Sequence, residues 1–118
     1  MLTVLVSCTS RLEKLETEVM ELHDEVMPLM DSLYKIRMQL QLKAETDSTR
    51  VELTESINEI MTAEEAMMNW MRNYNPSFNG ADDAESVLYF SDQKASIEQV
   101  ADQMKEAMAT GEGIINNF

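Results

Sequence analysis

Leu12 to Leu40 reads LEKLETEVMELHDEVMPLMDSLYKIRMQL, and its apolar spacing decides the fold. Leu12, Leu15, Val19, Leu22, Val26, Leu29, Leu33, Ile36 and Leu40 follow one another at steps of three and four without a miss. Such steps return a side chain to one side of a helix, so the series is a heptad seam. A second series, Met20, His23, Met27, Met30 and Tyr34, runs beside it at the same spacing. Two adjoining seams make a face wider than one partner covers, which requires two neighbouring helices. The expected fold is all-α: an antiparallel three-helix bundle with a long, coiled-coil-like first helix. Pro28 lacks a backbone N–H and crowds the turn before it, so a kink near residues 24–28 is expected. The seam keeps its phase across Pro28, which predicts one helix there.

Outward from this stretch, three start signals divide the chain. Ser10 with Glu13, Thr49 with Glu52 and Asp82 with Glu85 each set a short capping oxygen three residues before a carboxylate, the spacing of a capping box. Breakers cluster in NYNPSFNGA, residues 73–81, and Gly111 with Gly113 reads as a C-terminal stop. Helices are expected at about 10–43, 49–74 and 82–110. The second carries Leu53, Ile57, Ile60, Met67, Met71 and Tyr74, with Glu64 interrupting the apolar line. The third carries Val87, Phe90, Ile97, Ala101, Met104 and Met108, interrupted by Lys94.

Short links make successive helices antiparallel. A turn near residue 46 would bring His23 near Asn69 and Met27 near Glu65. A turn near residue 78 would bring Glu64 near Asp92. On that register residues 10–17 overhang the bundle by about 12 Å, Phe78 is a candidate cover for Leu12 and Leu15, and Ile114, Ile115 and Phe118 sit at the far end.

Composition narrows the function classes. The chain has 118 residues, 22 acidic and 9 basic side chains, one histidine, one cysteine and 11 methionines. That length suits one domain. A net charge of −13 leaves no basic stripe for phosphates, so no nucleic-acid partner is expected. One cysteine excludes an intrachain disulfide framework and a thiolate zinc knuckle. Runs of acid such as Glu13, Glu16 and Glu21, or Glu52, Glu55 and Glu59, read as solvated faces.

The N-terminus, MLTVLVSCTS, points to an address. Leu5-Val6-Ser7-Cys8 resembles the lipobox of bacterial lipoproteins, in which the cysteine becomes the lipidated N-terminus. Residues 1–7 then read as a remnant of a lipoprotein signal sequence and residues 8–118 as one helical-bundle domain. No Lys or Arg precedes Cys8, which points to a translation start upstream. The expectation is a protein held to a bacterial envelope membrane by lipid on Cys8, facing the periplasm or cell surface.

Two longer strings carry a family resemblance. His23-Asp24-Glu25-Val26-Met27-Pro28-Leu29-Met30, followed by Ala63-Glu64-Glu65-Ala66-Met67-Met68-Asn69-Trp70-Met71, resembles a family of small Bacteroidetes lipoproteins often labelled "viral A-type inclusion protein". The similarity spans about residues 8–110. It implies an exported, lipid-anchored helical protein and supplies no catalytic residues.

These two strings also hold the candidate site. Imidazole and thioethers suit a soft ion such as copper, so His23, Met27, Met30, Glu64 and Met68 form one candidate metal set. The competing reading makes the methionines flexible core fillers and has His23 bond a carboxylate such as Glu64 or Asp24. A third makes Met67, Met68, Met71 and Trp70 an adaptable surface for an envelope partner. No catalytic residue is expected, because nucleophilic triads and most general-base schemes need a histidine and His23 is alone. The preferred reading is a non-enzymatic structural or protein-interaction module without a cofactor; copper binding is the alternative.

Overall fold

A computed structural model describes residues 2–47 and 49–118; within its first helix, side chains are described from residue 10 onward. The chain forms three helices: α1 (Leu2–Thr46), α2 (Val51–Asn73) and α3 (Asp83–Ile115). All three pack on one another in a rod of 68 × 22 × 17 Å. The long axis is that of α1, whose 45 residues rise about 67 Å. Cys8 lies in the opening turns of α1, and its side chain falls outside the described residues.

The expected seam forms the centre of the core. Val19, Val26, Leu33 and Leu40, one heptad apart, are all fully buried. The positions flanking this line divide between the other two helices. On one flank His23 lies near Trp70 and Arg37 bonds Glu64, so that side faces α2. On the other, Glu18 meets Lys94, Glu25 meets Lys105 and Ile36 approaches Gly111, so that side faces α3. The two-seam width of α1 thus corresponds to two neighbours. Rising numbers on α1 meet rising numbers on α3, so these two run parallel, with α2 antiparallel to both. Pro28 lies inside α1 on its solvent side, where water can bond the carbonyl that Pro28 leaves without a donor.

Several boundaries differ from expectation for identifiable reasons. Ser10 does not begin α1, because the helix already runs from Leu2. Thr49 does not cap α2: its hydroxyl donates to Asp47 Oδ1 at 3.0 Å, and Arg50 takes the N-cap position without a side-chain cap bond. The third signal forms as expected. Asp82 Oδ1 accepts from Glu85 N at 2.8 Å, and Glu85 Oε2 reaches back to Ala81 N at 3.0 Å. Gly111 and Gly113 do not stop α3, which continues to Ile115. Gly111 is instead buried, and a Cβ there would stand 2.6 Å from Ile36 Cγ2 and 3.3 Å from Ile60 Cδ1. There the α3 backbone meets side chains of both other helices.

The α2–α3 register also shifts. Tyr74 meets Phe90 and Gly111 meets Ile60, so Asp92 is not opposite Glu64. The loop of residues 74–82 lets α3 begin beyond the end of α2. Its first turns, Asp83, Ala84 and Val87, line a groove with Arg11. Residues 10–17 therefore do not overhang as a bare stalk. Phe78, expected over Leu12 and Leu15, stacks on Tyr89 with ring centroids 4.0 Å apart. At the opposite end Ile114 and Ile115 pack on the core, and the Phe118 ring lies beneath the cations of Lys43 and Arg50.

The core of α2 follows a line displaced from the expected one. Leu53, Ser56, Ile60, Ala63, Met67 and Trp70 are buried, while Ile57, Met71 and Tyr74 are half-buried. Small residues at 56 and 63 let α2 approach its neighbours closely, which an apolarity count does not reveal. In α3 the buried line is Phe90, Ile97, Met104 and Gly111, with Ala101 and Ala107 beside it.

Candidate functional site

The two strings singled out in the sequence meet across the α1–α2 interface, but their side chains have separate occupations. His23 is three-quarters buried. Its Nδ1 lies 3.1 Å from Asp24 Oδ1, and its ring centroid is 6.4 Å from that of Trp70. Glu64 is held elsewhere. Arg37 Nε donates to its Oε1 at 2.8 Å and Arg37 Nη2 to its Oε2 at 3.3 Å, a two-pronged pair with both side chains about four-fifths buried. Trp70, the residue beside His23, is six positions and about 9 Å along α2 from Glu64.

In the metal set named from the sequence, Glu64 is therefore committed elsewhere. Glu64 spends both oxygens on a guanidinium, Met27 and Met30 pack against the core, and Met68 is 41% exposed. Among the described residues no group of three or more His, Cys, Asp or Glu side chains is placed to hold a metal ion.

The expected partner surface needs a correction too. Met67 is fully buried and Trp70 nearly so, because both lie on the displaced core line of α2. Met71 is half-buried against the core, leaving Met68 as the exposed member of that set. Met20, Tyr34 and Met61 are also exposed. Met67 and Met104 are core residues, and Met27, Met30, Met71 and Met108 fill the margin of the core, as the packing reading expects.

Sequence reasoning missed two partners. Arg37 gave no signal of its own, although it falls fourteen residues after His23 and so on the same flank of α1. Lys94 looked like a fault in the α3 seam, yet its Nζ sits 2.5 Å from Glu18 Oε2. That hydrogen bond, reinforced by the ammonium charge, lowers the Glu18 carboxyl pKa from 4.5 and raises that of Lys94 from 10.5. Both interruptions of the apolar pattern, Glu64 in α2 and Lys94 in α3, are ion-pair partners of α1.

At the end nearest Cys8, aromatic rings cluster close to the Glu18–Lys94 pair. Trp70 stacks on Tyr74 at 4.7 Å, Tyr74 meets Phe90 edge-on at 6.3 Å, and Phe90 meets Tyr89 edge-on at 5.1 Å. Burial, chiefly, pushes the Tyr74 hydroxyl pKa above 10.0, with Tyr89 and Glu16 adding to the shift. Beside this cluster a mostly apolar groove of about 360 Å³ lies between Arg11 and the α3 residues Asp83, Ala84, Val87, Leu88 and Ser91. Among the described residues no helix is long and apolar enough to cross a membrane. No known protein family matches the chain, and no curated protein or solved structure matches it either.

Proposed function

We propose that the chain is a lipid-anchored protein of the bacterial envelope, tethered through Cys8, that acts as a non-enzymatic structural or protein-interaction module. The observation that carries this reading is the string Leu5-Val6-Ser7-Cys8 at the leading end of a long helix. From Cys8 to Thr46, α1 rises about 57 Å. Lipid on Cys8 would stand the rod on the bilayer by its aromatic end and present Phe118 and the C-terminal end of α1 farthest from it. The rod form supports a spacer or docking role, and the use of His23, Glu64 and Met67 in internal contacts supports the same reading. Exposed Met20, Tyr34, Met61 and Met68 supply adaptable contact area for an envelope partner. The resemblance to small Bacteroidetes lipoproteins agrees with this address.

Lipidation predicts partition of the cell-expressed protein into a detergent phase, with loss of that partition in Cys8→Ser. Mass spectrometry should find the acyl mass on a peptide beginning at Cys8. An unmodified Cys8 in cells competent for lipoprotein processing would overturn the anchor. In-cell crosslinking tests the module: a dominant envelope partner should be trapped, and Met68→Glu should weaken its recovery without unfolding the bundle. Undiminished recovery from Met68→Glu would remove this surface from the proposal.

A further inference from the structure

The 74–82 loop contains the only Asn-Gly step of the chain, Asn79–Gly80. In such a step the backbone nitrogen after the asparagine can attack the side-chain amide carbon, because glycine has no Cβ to obstruct it. Here that nitrogen is engaged. Gly80 N donates to Ser86 Oγ at 2.9 Å, and Ser86 is 3% exposed. Gly80 is also pressed against α3, since a Cβ on it would lie 2.7 Å from Glu85 Cβ. The next nitrogen, Ala81 N, donates to Glu85 Oε2 at 3.0 Å. The peptide after Asn79 is thus pinned to the first turns of α3, while Asn79 itself is exposed.

We infer that Asn79 is a site of spontaneous covalent modification, deamidation through a cyclic imide, and that Ser86 restrains it by holding the Gly80 amide. In the reaction Gly80 N gives its proton to solvent base and forms a bond to Asn79 Cγ. The bond from Cγ to the side-chain nitrogen breaks, and that nitrogen takes a proton from solvent and leaves as ammonia. Water then adds to either carbonyl of the imide and opens the ring. The balance is asparagine plus water giving aspartate or isoaspartate plus ammonia, with no oxidation or reduction. While Gly80 N–H points at Ser86 Oγ, its nitrogen is withheld from Asn79. The reaction waits for the loop to leave α3.

The product would matter to the fold. Isoaspartate moves one carbon of the side chain into the backbone immediately before Gly80. That insertion displaces the Gly80–Ser86 and Ala81–Glu85 bonds and the Asp82 cap that follows them. Either product adds a negative charge beside Asp82, Asp83 and Glu85. Deamidation therefore loosens the aromatic end.

The test is to incubate the full chain at mildly alkaline pH, native and in urea, and follow acid formation at Asn79 by peptide mass mapping. Native protein should convert slowly and unfolded protein faster. Native Ser86→Ala should convert about fivefold faster than wild type, the factor that loss of one hydrogen bond's net free energy represents. Ser86→Thr, which keeps a hydroxyl, should stay near the wild-type rate, and Asn79→Gln should abolish the product. Equal rates in native and unfolded wild type would overturn the inference. So would a folded Ser86→Ala converting at the wild-type rate. If Ser86→Ala does not fold, hydrogen exchange in the wild type decides: a protected Gly80 amide is expected, and a freely exchanging one would overturn the assignment.

Discussion

At the end of the rod where residues 74–82 reverse the chain, the helices meet through large flat side chains: Trp70, Tyr74, Tyr89 and Phe90, with Phe78 folded over from the loop. At the opposite end, Ile36, Leu40 and Ile60 close around Gly111, a residue with no side chain at all. The two ends solve the same problem with opposite materials. Rings fill the space between helices with large apolar faces, and each also offers an edge or a polar tip. Tyr89 uses its hydroxyl to accept from Asn75 N at 2.8 Å and so ties the loop to α3. At the aliphatic end the helices close until the Gly111 backbone meets side chains of α1 and α2. Beside the aliphatic end the Arg37–Glu64 pair holds α1 to α2, and beside the aromatic end the Glu18–Lys94 pair holds α1 to α3.

Four experiments would break or sharpen this contrast. The largest effect is expected at the aromatic end. Phe90 is fully buried and touches both Tyr74 and Tyr89, so Phe90→Ala should destabilise by about 3–5 kcal/mol in chemical denaturation. Next comes a matched pair at the other end. Gly111→Ala places a methyl on Ile36 Cγ2, a β-branched carbon that cannot swing aside without its χ1, and should cost about 1–3 kcal/mol. Gly113→Ala meets nothing within 4 Å and should stabilise by about 0.5–1 kcal/mol through helix propensity. Two alanines of the same sign would show that Gly111 is not a packing glycine.

The two ion pairs rank below these. Glu64→Ala leaves the Arg37 guanidinium four-fifths buried without its partner and should cost about 1–3 kcal/mol. Replacing both residues by apolar ones should recover most of that loss. The smallest effect is a pH dependence at Glu18. Its folded carboxyl pKa lies below 4.5, so the pair with Lys94 adds stability above that pH and loses it as pH falls through the lower folded value. Glu18→Gln should flatten this part of the acid-stability profile, and salt should weaken it in the wild type. An unchanged acid limb would remove the pair from the account.

How much was legible follows from the range of each signal. The α1 seam and the Asp82–Glu85 cap are local, and both appear as expected, because helix rise and turn angle alone place residues three and four apart on one face. Thr49 has the same local spacing, yet its hydroxyl turned to Asp47, since a short polar side chain can bond several nearby groups. The partner of Glu64 is a long-range matter. The expected register placed His23 near Asn69, one residue from the Trp70 that it meets, but no signal within α2 pairs Glu64 with Arg37.

By itself the sequence determined that the chain is helical, that α1 needs two neighbours, where the loops fall, and that Asp82 begins α3. These depend on periodicity and on residues within one turn of each other. Only the tertiary structure decided that Gly111 is a contact and not a stop, that Glu64 and Lys94 are ion-pair partners and not faults, and that Met67 is core while Met68 is surface. Each of those depends on which side chain arrives from another helix. That is fixed by the sum of many packing contacts along the rod, and no short stretch of the chain contains it.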